Sequence, residues 1–361
     1  MGTRANAMGL DLNRDHMKLD APASRSLAAM MTAYDPHLSL DTHTTNGTRH
    51  AYFVTYAPPL HPGTHPAIVE LLRGEMLPVL TERIHREHDM RFYYYGNAYD
   101  GPEGPGWYTF DHRPRFNNNY IGLRNRLAIL SEAYAYATYR DRVRATKAFV
   151  DEIVGYAAAH AGEIEAAVEA AGADVVGDVL PTRAAVARSD TMVTIHMGEV
   201  EVVRHPYTGG RMLRRLPVER PERMWEFGTF EATDSEIAPR TYLIPPGLDG
   251  IVERLAAHGV RVRPAESGEV RAVEVFAVDS ARTSPREFQG HAERTLFGAW
   301  GPAEREIPEG TTAVDVSQPL GRLAFYLLEP RSDDGLANWG FLDDALEESD
   351  EYPIWRIPAG G

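Results

Sequence analysis

The sequence predicts an α/β layer, built on a mixed or parallel sheet, followed by a second and mostly β domain. Three observations predict it. Helical and strand-like patterns alternate up to about residue 165. After about Gly172 they shorten into strand-like runs separated by Gly and Pro turns. At 361 residues the chain is also long enough for a large core in two domains, here 1–172 and 173–361.

In the first half, PASRSLAAMMTAYDP reads as a helix stopped by Pro36, and HLSLDTH as a strand with Leu38 and Leu40 on one face. This strand breaks into a polar turn with Asn46-Gly47. PAIVELLRGEMLPVLTERIHREH is an amphipathic helix that Pro78 kinks or splits. RLAILSEAYAY is an apolar run ending in a carboxylate, the pattern of a strand buried on both faces. The segment from Tyr139 to Gly172 reads as one long Ala-rich helix ending at the glycine. In the second half MVTIHM, VEVVRH, TYLIPP, VRAVEVFAV and RLAFYLLEP read as strands, interrupted by the helix LDGIVERLAAHG. The acidic DDALEESDE is most simply a solvated helix face or tail.

The composition is globular, at 43% hydrophobic and 25% charged, with no apolar run of transmembrane length. A formal charge of −15 argues against a nucleic-acid or anionic-membrane surface. Cysteine is absent, so any metal must be held by His, Asp or Glu. The N-terminus lacks the apolar core of a signal peptide, which as written leaves the chain in the cytoplasm. Oligomeric state is not readable.

Three segments stand out: TRANAMGLDLNRD with Arg4, Asp11, Asn13 and Arg14; LDTHTTNG with His43; and RNRLAILSEAY with Glu132. Singly each has a bland reading. A histidine after a strand is commonly a polar cap, a glutamate there is the first exposed position, and an Asn-Arg pair is a surface turn. In this order, however, they resemble the zinc metallocarboxypeptidases, the carboxypeptidase A-like family. The resemblance covers roughly residues 1 to 165 and implies an incomplete carboxypeptidase-like mixed sheet flanked by helices.

The resemblance also implies roles. His43 would be a zinc ligand, and Glu132 the general base for a zinc-bound water. Arg4 would face the oxyanion. Asn13 and Arg14 would grip the substrate's terminal carboxylate, Asp11 would orient a ligand histidine, and Tyr120 would close over the substrate. Trp107 and Tyr108, in a Gly/Pro/aromatic-rich segment, either contact substrate or pack the loop itself.

The family's other two zinc ligands come from a His-x-x-Glu motif upstream of the arginines, and only Met1, Gly2 and Thr3 lie upstream here. His160/Glu163 and His196/Glu199 fit the motif but follow Glu132, so both read as coincidence, and His85/His88 reads as a solvated helix face. The expectation is therefore an N-terminally shortened member with an incomplete Zn2+ site, an exposed sheet edge and no peptidase activity as it stands. A signal peptide for export would belong to the missing part. The implied function is removal of C-terminal amino acids from peptides, or hydrolysis of acyl-amino acids, both substrates having a free carboxylate. The alternative is a non-catalytic pseudo-peptidase or a protein that binds peptide termini.

Overall fold

The computed structural model describes residues 3–45 and 47–360, so Asn46 of the expected turn lies outside the described residues. After a short 3-10 turn at Leu12–Arg14, the first half runs α1 (Pro22–Tyr34), β1 (Leu38–Thr44), β2 (Val54–Ala57), α2 (Pro66–Val69), a π-helical segment at Glu70–Met76, and α3 (Leu77–His88). There follow β3 (Phe92–Tyr94), β4 (Asn97–Gly101), β5 (Gly104–Tyr108), α4 (Asn117–Leu123), β6 (Leu127–Ala133), α5 (Tyr139–Ala159) and α6 (Ala161–Ala171).

Strands dominate thereafter. They are β7 (Val179–Ala187), β8 (Val193–Met197), β9 (Val200–Arg204), β10 (Arg211–Arg215), β11 (Arg220–Phe227), β12 (Thr229–Ile237) and β13 (Thr241–Ile244). After α7 (Asp249–Ala257) come β14 (Arg263–Pro264), β15 (Val270–Thr283), β16 (Arg294–Glu306) and β17 (Thr312–Asp315). The chain closes with α8 (Gly321–Leu328), α9 (Asp343–Glu347) and β18 (Trp355–Ile357). The fold is thus mixed α/β with several sheets.

The sheet that carries the candidate site has the order β1-β6-β2-β3. β6 pairs parallel with β1 and antiparallel with β2, so the sheet is mixed. Its central strand is buried along almost its whole length, as its apolar run requires. β1 lies at the edge, and its outer side meets no strand among the described residues. On one face, α3 and α5 pack Leu77, Leu80, Ile84, Phe149 and Ile153 against Val54, Leu127 and Ile129.

A second cluster joins residues from both sides of Gly172, including Met17, Met31, Tyr120 and Leu123 with Tyr242, Leu255, Leu323 and Trp339. The sheet β4-β5-β11-β8 likewise draws strands from both halves, and a six-stranded sheet, β14-β17-β13-β18-β15-β16, dominates the second.

Several elements differ from their sequence expectation. The helix around Pro78 is divided into α2, a π segment and α3. Its first turns widen to the π form, closing with Leu77 N–H donating to Leu72 O, and Pro78 sits in the first turn of α3, where its missing N–H costs little. The long helix after Tyr139 is two: His160 leaves helical geometry (φ −117°, ψ 27°) and becomes the N-cap position of α6. RLAFYLLEP forms helix α8 rather than a strand. All eight of its residues are buried, so its pattern has no polar face and periodicity cannot separate it from a buried strand.

Helix α8 begins where only glycine fits, because a Cβ at Gly321 would lie 1.9 Å from Val316 O. Gly321→Ala should lower stability by about 2–3 kcal/mol by overpacking, read as a shifted urea midpoint; an unchanged midpoint would contradict this packing.

Candidate functional site

A cleft of about 260 Å³ opens near the C-terminal ends of the parallel strands β1 and β6, where open α/β sheets commonly bind ligands. Its walls include Arg4, Asn13, Arg14, His43, Tyr95, Phe110, Phe116, Leu130 and Glu132. Two rules of strand geometry put the polar groups there. In the β1–β6 register His43 stands directly beside Glu132. Side chains two apart share a face, which aligns Leu130 with Glu132 and Asp41 with His43.

Asp41 Oδ2 lies 2.7 Å from His43 Nε2, an ion-pair distance, but off the ring N–H axis. Nε2 therefore stays buried without an aligned hydrogen-bond partner, as does Glu132 Oε2. The Asp41 contact raises the His43 pKa against the opposing effect of burial. Burial pushes the Glu132 carboxyl up to about 7, Asp41 adds to the rise, and His43 and Arg4 oppose it. A carboxyl tuned to that range exchanges protons readily at neutral pH.

The opposite wall comes from the N-terminal segment. Asp11 ties it together, accepting from Arg4 Nε (2.6 Å) and from the Asn13 amide (3.1 Å). Among the described residues Asp11 makes no hydrogen bond to a histidine; it organises the arginine side of the cleft instead. Arg14 lies with its guanidinium carbon 3.9 Å from the Phe116 ring centroid, and its Nη1 donates to Asn13 O. Burial lowers the Arg14 pKa, yet a guanidinium remains charged at neutral pH. Asn13 Oδ1 accepts from the Asn117 amide at 3.3 Å.

Arg4, Asn13, Arg14, His43 and Glu132 are thus brought together. Tyr120 is not: it is 1% exposed, its hydroxyl is hydrogen-bonded to His258 Nδ1 (2.9 Å) and Arg124 Nη1 (3.1 Å), and its ring stacks on His16. Every residue of α4 is buried, so no side chain of that helix swings over an opening. Trp107 and Tyr108 also turn inward. Trp107 Nε1 donates to Tyr94 O, and Tyr108 stacks on Phe227 with centroids 4.1 Å apart.

The aromatic residues that do reach the cleft are Tyr95, Phe110 and Phe116, in consecutive contact at 5.4 and 5.1 Å. Sequence reasoning passed over Tyr95. Its signal was the run Phe92–Tyr95 ending at Gly96, a strand end like that of His43.

A catalytic zinc site takes three protein donors and keeps a fourth position open. The cleft supplies one imidazole, His43. Among the described residues three potential ligand atoms converge only at Glu87, His88 and Glu152, outside the cleft on α3 and α5. The described cleft residues alone therefore do not fit a zinc ion. His160 Nδ1 lies 3.0 Å from Glu163 Oε2 at the start of α6, while His196 faces Glu219 and Glu199 faces Arg220. Neither of those motifs touches the cleft.

No family model matches the chain, and no solved structure matches it significantly. A segment is similar to fungal proteins. Carboxypeptidase 2 of Trichophyton tonsurans is 32% identical over 119 residues, 33% of this chain and 22% of that protein. Carboxypeptidase 2 of Trichophyton equinum shows the same identity and coverage. Probable carboxypeptidase 2 of Arthroderma benhamiae is 32% identical over 104 residues, 29% of this chain and 20% of that protein. The chain spans about a fifth of the length of these relatives. Over that segment the chain is similar to proteins named carboxypeptidase 2. No helix is long and apolar enough to cross a membrane among the described residues.

Because the folded Glu132 pKa stands near 7 against an ordinary 4.5, the native state keeps a proton that the unfolded chain releases. That contribution is fully present below about pH 4.5 and is lost as pH rises through about 7. Wild-type stability should therefore fall from pH 5 to pH 8 by more than that of Glu132→Gln, by on the order of 2 kcal/mol. Urea titrations at the two pH values check this, and equal falls would exclude the shift.

Proposed function

We propose that this cleft receives the C-terminal end of a peptide or acyl-amino acid, as part of a carboxypeptidase-type hydrolase. The observation that carries the reading is the meeting of Arg14 and Asn13 with Arg4, His43 and Glu132 around one opening. A guanidinium held 3.9 Å over the Phe116 ring centre has a planar fork suited to a carboxylate, and Asn13 adds an amide donor beside it. Arg4 supplies positive charge where a carbonyl oxygen would become an oxyanion. Glu132 would take a proton from water as the water oxygen bonds to the carbonyl carbon, and pass it to the amine as the scissile C–N bond breaks.

These roles belong to residues of this chain. His43 is the one imidazole of the cleft among the described residues, and further donors would have to join it for the zinc chemistry that the sequence resemblance implies. That shortfall favours a second reading, in which the chain binds carboxylate termini without cleaving them.

Two measurements test these readings, the first their shared carboxylate site and the second the difference between them. Calorimetric titration with an N-acetyl amino acid and its C-terminal amide should show tighter binding of the acid. Arg14→Lys should weaken acid binding by about tenfold or more, the worth of a charge-assisted fork, with little change for the amide. Equal binding of acid and amide by the wild-type chain would remove the carboxylate site. Incubating a short peptide with the chain, with and without added Zn2+, then tests cleavage. Release of its C-terminal residue supports the hydrolase, and binding without release supports the binding protein.

A further inference from the structure

The segment from Phe110 to Asn117 forms the floor under the proposed carboxylate grip, and it is held by residues from the far half of the chain. Asp334 is wholly buried and Arg115 is 2% exposed. Asp334 Oδ2 accepts from the Arg115 main-chain N–H at 2.6 Å, and its Oδ1 accepts from Arg115 Nε at 2.8 Å and lies 2.7 Å from Nη2. Arg115 is further fixed by Glu293, 2.6 Å from Nη1, and by the Trp339 ring, 4.4 Å beneath its guanidinium carbon.

Next in the chain come the two residues that touch the grip: Phe116 under the Arg14 guanidinium, and Asn117, whose amide donates to Asn13 Oδ1. Just upstream, His112 Nε2 lies 3.0 Å from Asp333 Oδ2. The second half also reaches the grip from the other side, where Gln289 Oε1 accepts from the Asp11 amide at 2.7 Å.

We propose that Asp334 and Arg115 are positioning residues for the cleft: their buried ion pair holds Phe116 and Asn117 where Arg14 and Asn13 need them. On this account the strand-rich second half is a structural part of the binding site. The Asp334 carboxylate grips the main chain of the segment as well as the side chain, so it fixes position and not only charge. A buried pair joined by two hydrogen bonds, one of them to the main chain, has few alternative arrangements, which suits it to hold a ligand-binding group in place. The inference rests on the reading of Asn13 and Arg14 as a carboxylate grip.

The test compares the wild-type chain with Asp334→Asn, Arg115→Lys and Phe116→Leu. Each is titrated with an N-acetyl amino acid and with the matching amide, and thermal unfolding is followed alongside. Arg115→Lys keeps the charge and loses the fork, while Phe116→Leu removes the ring beneath Arg14 and leaves the ion pair intact. The expected result is a loss of acid affinity of about tenfold for the first two variants, as for small misplacements of binding groups. Phe116→Leu should lose about threefold or more, amide binding should stay within about twofold, and all variants should remain folded.

Folded Arg115→Lys and Phe116→Leu variants that bind the acid as tightly as wild type would overturn the proposal, even if Asp334→Asn does not fold. If the wild-type chain does not distinguish acid from amide, the carboxylate reading fails, and amide hydrogen exchange at Asp11–Arg14 decides the positioning separately. Faster exchange there in Arg115→Lys supports it, and unchanged exchange refutes it.

Discussion

The parallel pairing of β1 with β6 is the constraint on which the site depends. Its register sets His43 beside Glu132, and the two-residue period of each strand brings Asp41 and Leu130 onto the same faces. A slip of one residue would turn the imidazole or the carboxylate to the opposite face of the sheet and dissolve the constellation. The burial of β6 protects against such a slip, because its apolar side chains are committed to packing on both sides.

Burial next to that register creates the electrostatic character of the cleft. Glu132 is removed from water enough to lift its pKa, while Asp41 holds His43 toward its charged form. Facing them, Asp11 gathers Arg4 and the Asn13 amide, and an aromatic series from Tyr95 through Phe110 to Phe116 ends beneath Arg14. A proton-exchanging carboxyl and a row of fixed cationic and amide donors thus occupy opposite walls of one opening. The same geometry serves binding or hydrolysis; what distinguishes them is whether further metal donors join His43.

Much of this was legible in the sequence because it is local. The buried run of β6 and the Pro-led start of α1 are patterns a short window contains. The order Arg4, Asn13, Arg14, His43, Glu132 could be read along the chain, although their meeting in space is a tertiary fact. What was not legible depends on distant partners. The resemblance makes Tyr120 a residue that closes over the substrate, but α4 is enclosed on all sides, partly by the second half of the chain, and the Tyr120 hydroxyl is hydrogen-bonded to His258. Helix α8 hides its period because every face is buried. The break at His160 and the absorption of Pro78 by a π segment are backbone solutions that residue propensities do not dictate. Nothing near Arg115 in sequence points to Asp334.

The most direct test of the central claim is a crystal structure of this chain soaked with an N-acetyl amino acid. The account predicts a carboxylate within hydrogen-bonding distance of Arg14 and Asn13, with the acyl end toward Arg4 and Glu132. A ligand bound elsewhere, or one whose carboxylate avoids Arg14, would contradict it.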